Sequence, residues 1–340
     1  MMFRNSLRAG SKIQLAGLTI LSVLGLSANT HAQYKAVFIP YSTIGFGIGT
    51  SSYYGDLATY RRPVASTFNQ MRWSVGANYT RHFTPRLAAR ASFTWARIAG
   101  DDFKMNNSPK YQTNILFARN FQFRNDLKEF SLQGIFKLTP DDRTYERRSK
   151  IGTYVVAGLA LAAHNPKALY LAPTSGDKYW VKLQPLGTEG QGNAGYAKPY
   201  SLVQLSIPVG FGVRYKINSR FDISAELGYR FTFTDYLDDV AGNYAAPSLL
   251  QDPVAQQLAN RSAELVSIKK GQDRLPGLTN FVQTNYNVTT TDPVAEMQAR
   301  GFGAPGSQRG NNPSLNDAYM TGMIHLHYII PSQIKCPPLK

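Results

Sequence analysis

Phe221-Asp222-Ile223-Ser224-Ala225-Glu226-Leu227-Gly228-Tyr229-Arg230-Phe231-Thr232-Phe233 alternates without a break between apolar residues and polar or small ones. Strict period-2 alternation describes a strand with one face in an apolar medium and the other in a polar one. The run exceeds the ordinary strand of about 5–6 residues and suits a tilted bilayer crossing of about 9–11. Its polar face carries Asp222, Glu226 and Arg230, charges that are costly in a soluble sandwich core and at home in a hydrated lumen. The segment therefore predicts a transmembrane β-barrel.

Seven further segments resemble it, at residues 44–49, 73–80, 87–95, 130–138, 151–163, 203–217 and 320–330. The segment 151–163 is apolar on both faces, so its alternation is weak. Eight is an even number and the smallest common barrel size, and closure leaves no unpaired sheet edge in lipid. The interior of such a barrel is filled by side chains, which excludes a pore for solutes. The connections alternate in length. Residues 84–86 and 218–220 are tight turns and 139–150 is short, whereas 55–71, 99–118, 165–199 and 234–317 are long. Outer-membrane barrels pair short periplasmic turns with long external loops, so the fold class is an all-β, eight-stranded antiparallel transmembrane barrel with both ends in the periplasm. Within the last loop, 247–270 has a helical pattern at Val254, Leu258, Leu265 and Ile268 and is expected to fold on top of the barrel.

The start of the chain agrees with export. Arg4, Arg8 and Lys12 precede an apolar run from Leu15 to Leu26, and Thr30-His31-Ala32 reads as a cleavage site. Residues 1–32 are then a signal peptide, 33–331 the barrel and 332–340 a periplasmic tail. The mean hydropathy is −0.28, because a barrel hides its membrane signal behind every second residue. Removing the three cations of the signal segment from the net charge of +16 leaves +13. These cations are scattered over strands and loops of an exported chain, which argues against nucleic acid and for outer-membrane lipid and anionic lipopolysaccharide, or an acidic partner. The single cysteine, Cys336, lies in the Pro-rich tail, either as a free thiol or paired with another chain.

Few constellations suggest chemistry. His325 and His327 share a strand face at a spacing that can hold a metal, or they are polar filler among hydrogen-bonding neighbours. Arg90, Glu129, Arg214, Asp222, Glu226 and Arg230, with Lys216, should face the lumen, and buried charges must be paired. An ion-pair network that plugs the barrel is expected. At the external rim, Ser51, Ser52, His164, Asp235, Asp238 and Asp239 allow a hydrolytic triad only if a Ser, the His and an Asp converge. Asp235, Asp238, Asp239 and Asp317 could hold Ca²⁺ or cap turns. No catalytic residue, cofactor or metal is assigned from these patterns. In the turn 140–150, Arg143, Arg147, Arg148 and Lys150 beside Asp141, Asp142 and Glu146 form a candidate contact for a periplasmic partner.

Several loop motifs stand out: Gly47-Ile48-Gly49-Thr50-Ser51-Ser52-Tyr53-Tyr54-Gly55-Asp56-Leu57, Ala99-Gly100-Asp101-Asp102, Arg119-Asn120-Phe121-Gln122-Phe123-Arg124, His164-Asn165-Pro166-Lys167-Ala168, Leu183-Gln184-Pro185-Leu186-Gly187-Thr188-Glu189-Gly190-Gln191-Gly192 and Asp235-Tyr236-Leu237-Asp238-Asp239-Val240. Together, over nearly the whole mature chain, they resemble a family of small outer-membrane barrels of Bacteroidetes, similar to PorG of the type IX secretion system. The resemblance implies a non-enzymatic role as an anchoring or interaction subunit of secretion or gliding machinery. The implied partners are a periplasmic ring lipoprotein and its partner protein. The long fourth loop departs from that pattern. The competing reading is a surface-exposed structural or ligand-binding barrel that acts through its external loops.

Overall fold

The computed structural model describes residues 38–311 and 315–331. The expected signal segment, the cleavage site and the tail with Cys336 lie outside the described residues. Eight strands form the barrel: β1 (Tyr41–Tyr54), β2 (Arg72–His82), β3 (Leu87–Asp101), β4 (Gln122–Lys137), β5 (Ile151–Ala163), β8 (Val203–Lys216), β9 (Phe221–Thr232) and β10 (Ala318–Ile330). Each pairs antiparallel with its neighbour, and β1 closes on β10 from Ser42↔Ile330 to Tyr54↔Ala318.

The alternation dictates which side faces which medium. On β9, Leu227 and Phe231 are exposed whereas Asp222, Ser224 and Arg230 are buried. Phe46, Ile48, Leu132, Leu159, Leu227 and Ile324 belong to a continuous exposed apolar belt, with Phe46 and Ile48 about 67% and 71% exposed. No water-soluble surface carries such a belt, so it faces lipid. Trp73 and Trp95 meet edge to face at 5.1 Å toward the long-loop end. Phe221 and Tyr328 lie at the short-turn end, 5.4 Å apart. These are the aromatic margins of a bilayer-spanning band, and they set the barrel in the outer membrane. Among the described residues no helix is long and apolar enough to cross a membrane.

The wall extends further than expected. β3 and β4 stay paired up to Asp101↔Gln122, although the alternation of apolar residues ends at Trp95 and Phe130. Above those residues the outward positions become Arg97, Lys128, Asp126 and Arg124, so the hydropathy signal stops before the ladder does. The loop 165–199 is not plain coil either. It holds a hairpin, β6 (Lys167–Leu171) and β7 (Lys178–Lys182), that joins the wall through Arg124↔Lys167. The expected helix over 247–270 is reduced to Pro253–Ala259, capped by the Asp252 carboxylate, and Leu265 lies exposed outside it. Two helices not foreseen, Leu275–Tyr286 and Pro293–Ala299, follow it. Phe103, Phe117, Leu278, Phe281 and Val282 form an apolar core between the second and fourth external connections.

Candidate functional site: a filled lumen under a latched cap

The lumen is built from charges spaced four apart on β9. Asp222, Glu226 and Arg230 are separated by about 13 Å of strand each, at roughly 3.3 Å per residue. Each anchors one tier. Toward the outside, Arg230 pairs with Glu129 at 3.3 Å, and Tyr319 also donates to Glu129. In the middle, Arg90 meets Glu226 at 2.7 Å and the Tyr154 hydroxyl donates to the same carboxylate at 2.8 Å. Toward the periplasm, Arg214 lies 3.0 Å from Asp141 and 3.8 Å from Asp222. Lys137 also pairs with Asp141, and Tyr41 donates to it at 2.7 Å. Arg148 grips Asp222 at 2.6 Å. Lys216 sits below, its ammonium donating to the Glu146 carbonyl.

His325 and His327 stack 5.7 Å apart, opposite Gly47 and Gly45, where any Cβ would strike an imidazole. Their partners are Asn78 and Ser224. The cavity left near His82, Arg90 and His327 measures about 50 Å³, room for little more than water.

One feature of the turn 140–150 differs from expectation. Arg148 is only 2% exposed and Asp141 4%, because both reach up into the lumen as the barrel's floor. They are not part of an accessible patch. Arg143, Arg147 and Lys150 remain exposed. Turn residues have no period-2 pattern, so nothing in the spacing marks which of them point inward.

The external end is closed by a cap in which two buried arginines join all four long connections. Arg119, in the second, makes a bidentate pair with Asp102 at 2.8 and 2.9 Å. It also donates to the Asp56 carbonyl of the first connection and to the Arg309 carbonyl of the fourth. Arg309 pairs with Glu189 of the third at 3.1 Å and donates to the Ala259 carbonyl. Glu189 accepts the backbone N–H groups of Ala241 and Gly242. Arg274, fully buried, donates to the Phe117 and Ala118 carbonyls. The sequence motifs of the loops supply Asp56, Asp102, Arg119 and Glu189, yet no spacing in the sequence indicates their pairing across distant loops.

The rim carboxylates divide into two sets. Asp238 and Asp317 both lie 2.6 Å from the Tyr53 hydroxyl, which also accepts the Asp56 backbone N–H. One phenolic hydrogen cannot serve two carboxylates, so one of the pair carries a proton. Burial, and then the neighbouring carboxylates, push both above the usual range. Asp235 beside them is pushed up to about 9 by burial and by Asp238 and Asp56. Asp239 turns away, accepting from Thr188 and Tyr200, and burial offset by Arg309 sets it at about 6. The four aspartates therefore do not converge on one point. Among the described residues, no group of three or more His, Cys, Asp or Glu is placed to hold a metal.

No triad is assembled from the rim residues. Ser51 donates to the Arg97 and Trp73 carbonyls and Ser52 to that of Thr67. His164 Nε2 lies 3.1 Å from the Ser201 carbonyl, so that nitrogen holds the hydrogen and Nδ1 accepts from Asn125. Burial lowers its pKa to about 4, which keeps the ring neutral and its donor committed. These groups tie strands and loops of the rim together. Between the second and fourth connections the cap also bears a recess of about 400 Å³, lined by Ile115, Tyr244, Tyr286, Arg300, Phe302 and Gln308.

Residues 18–180 match a family described as a domain of unknown function, DUF6089. No curated protein matches the chain at a significant level. Among solved structures, the chain is similar in fold to Neisserial surface protein A at 8% identity, covering 84% of this chain and 96% of that one with a TM-score of 0.36. Ail, the attachment invasion locus protein of Yersinia pestis, matches at 10% identity over 86% and 100%, with a TM-score of 0.34. The N-terminal β-barrel domain of Pseudomonas aeruginosa OprF matches at 9% over 86% and 98%, with a TM-score of 0.31.

Proposed function

We propose that the chain is a surface-exposed binding barrel, in which a rigid, filled cylinder holds a folded cap above the membrane and the cap meets the ligand. One observation carries this reading. Arg119 and Arg309 fix all four external connections as one body, and that body keeps an open recess with aromatic walls and an exposed arginine. Tyr286 offers a stacking face, and Arg300, 4.9 Å from its ring and paired with Glu296 at 2.6 Å, adds guanidinium donors, the groups used to recognise sugars or acidic peptides. A lumen filled by ion pairs supports a role in holding rather than conducting.

A second reading follows from the loop motifs. In it the barrel is an interaction subunit of type IX secretion or gliding machinery, contacting a ring lipoprotein and its partner through exposed Arg143, Arg147 and Lys150. Affinity purification of the tagged protein from mild-detergent-solubilised outer membranes, followed by mass spectrometry, separates the two. The binding-barrel reading expects no enrichment of ring proteins that are present in the input. It also expects capture of the purified barrel on a glycan and peptide array that falls when Tyr286 and Arg300 are both replaced by Ala. Ring-protein enrichment that is lost on Arg143→Glu/Arg147→Glu, and is untouched by the cap variant, would overturn it in favour of the second.

A further inference from the structure

Immediately above the lipid-facing belt, the outward face of β3, β4, β6 and β7 carries an unusual charge pattern. Residues directly opposite in an antiparallel pair point to the same side of the sheet. Arg124 is opposite Lys167, and Lys167 is opposite Lys182, so three cations stand in one row across three adjacent strands. Like charges placed directly opposite destabilise a sheet. Two residues below Arg124 on the same face is Asp126, and two below that is Lys128, which faces Trp95 and stands directly above Phe130 of the apolar belt. Two carboxylates belong to this face: Asp126, consumed by a bidentate pair with Arg97 at 2.6 and 3.1 Å, and Asp101 at the upper end of β3, which pairs with Lys269 at 3.1 Å. Arg97, Arg124, Lys128, Lys167, Lys178 and Lys182 are thus six cations on this face against two carboxylates, both already paired. Among the described residues, Arg124, Lys128, Lys167 and Lys182 form no ion pair. Arg124 is held against the Trp180 ring at 4.1 Å, and its Nε is without a hydrogen-bond partner among the described residues.

We propose that this face binds the phosphates of lipid A, the anchor of lipopolysaccharide, in the outer leaflet. The inference concerns the wall and is independent of what the cap recognises. Height favours a lipid. The row begins where the acyl-facing residues end and rises about 13 Å along β4 from Lys128 to Arg124, at roughly 3.3 Å per residue, the level of headgroups. Width favours a doubly charged headgroup. Two strand spacings of about 4.8 Å spread the row over roughly 10 Å, enough to meet two phosphates on one sugar pair, where a phospholipid offers one. Bound phosphate would also remove the cross-strand repulsion that the bare row suffers.

The test reconstitutes the full barrel in phosphatidylcholine nanodiscs with equal mole fractions of bisphosphorylated lipid A, dephosphorylated lipid A or phosphatidylglycerol, and measures retained lipid by native mass spectrometry. Bisphosphorylated lipid A is expected to be retained preferentially. In Lys167→Gln/Lys182→Gln its apparent affinity should fall about thirtyfold, the product of about fivefold for each cation lost at an anionic surface. Both lysines are on the outer surface of the hairpin, and heat-modifiability on gels checks that the barrel is folded. Arg124→Gln alone, which leaves the hairpin charges in place, provides a second variant with an expected loss of about fivefold. Equal retention of dephosphorylated lipid A, equal retention of phosphatidylglycerol, or unchanged retention in folded variants would each overturn the proposal.

Discussion

The lumen and the external cap are both held by buried arginines, but those arginines bind different things. In the lumen, Arg90, Arg148 and Arg230 pair with side-chain carboxylates of strands already fixed by their backbone ladders, and Arg214 with Asp141 of the floor turn and Asp222 of β9. In the cap, Arg119, Arg274 and Arg309 donate largely to backbone carbonyls, Arg119 and Arg274 to those of other loops and Arg309 to those of its own long loop. Backbone that crosses a sheet satisfies itself, whereas irregular backbone under a cap must find donors elsewhere. The cap's arginines do the joining that ladders do in the wall. Loss of one lumen pair should therefore weaken a barrel that keeps its shape, and loss of one cap arginine should free whole loops.

The largest effect is expected at Arg119. Arg119→Ala leaves Asp102 buried without its partner and orphans two carbonyls, a loss of about 5 kcal/mol or more from the cap. Limited proteolysis should cut within 244–308 much faster than in the native protein, while the barrel still migrates as a folded, heat-modifiable band. Arg119→Lys restores charge but not the fork and should fall between. A cap as resistant as the native one would show that the loops are held by their apolar contacts instead.

A smaller and more diffuse effect is expected in the lumen. Glu226→Ala strands Arg90 in the middle tier, at a cost of about 3–5 kcal/mol. The ladders on both sides persist, so the outcome is a lower unfolding temperature in detergent with an unchanged circular-dichroism spectrum. Replacing both partners, as Arg90→Met/Glu226→Leu, should recover most of the loss, because the desolvation of two charges goes with them. A double variant as unstable as Glu226→Ala would mean that Tyr154 and its neighbours need the carboxylate itself.

The same contrast explains how much could be read from the sequence. Wherever a residue's role follows from period 2, the reading reaches single side chains: Phe221 to Thr232 pairs as a strand, and Asp222, Glu226 and Arg230 turn inward together. The reading fails where direction is set by tertiary contacts. Arg147 and Arg148 are adjacent in one turn, and only the second enters the lumen. Arg124 and Asp126 belong to a strand whose membrane signal has already ended, so β4 looked shorter than it is. In the cap, Arg119 and Asp102 both stood in visible motifs, but a 17-residue separation through two short helices gives no spacing from which to infer a pair. The helix at Leu275–Tyr286 buries only Gly277, Leu278, Phe281 and Val282, too narrow a stripe to announce itself.

The third difference concerns protons, and it is the smallest. The lumen carboxylates are met by cations, whereas the rim gathers Asp238 and Asp317 about Tyr53 with Asp235 beside them, and Glu189 and Arg309 beyond Asp239. Carboxyls raised in the folded state, against about 3.9 in the unfolded chain, hold a proton that folding favours. Their contribution is complete below the unfolded value and is lost as pH rises through the folded one. For Asp239 that passage is near pH 6 and for Asp235 near pH 9. The cap should therefore loosen between pH 6 and 9 while the barrel below stays intact. The amides to watch are Leu237, bonded to Asp317, and Val240, bonded to Asp238. Their hydrogen-exchange protection, corrected for intrinsic rates, should fall across that window. Asp235→Asn, neutral at every pH, should flatten the upper part of the profile and leave the step near pH 6. Protection that is level from pH 6 to 9.5 in the native protein would mean that the rim carboxylates are ionised and paired like those of the lumen, and the contrast between the two regions would then rest on the arginines alone.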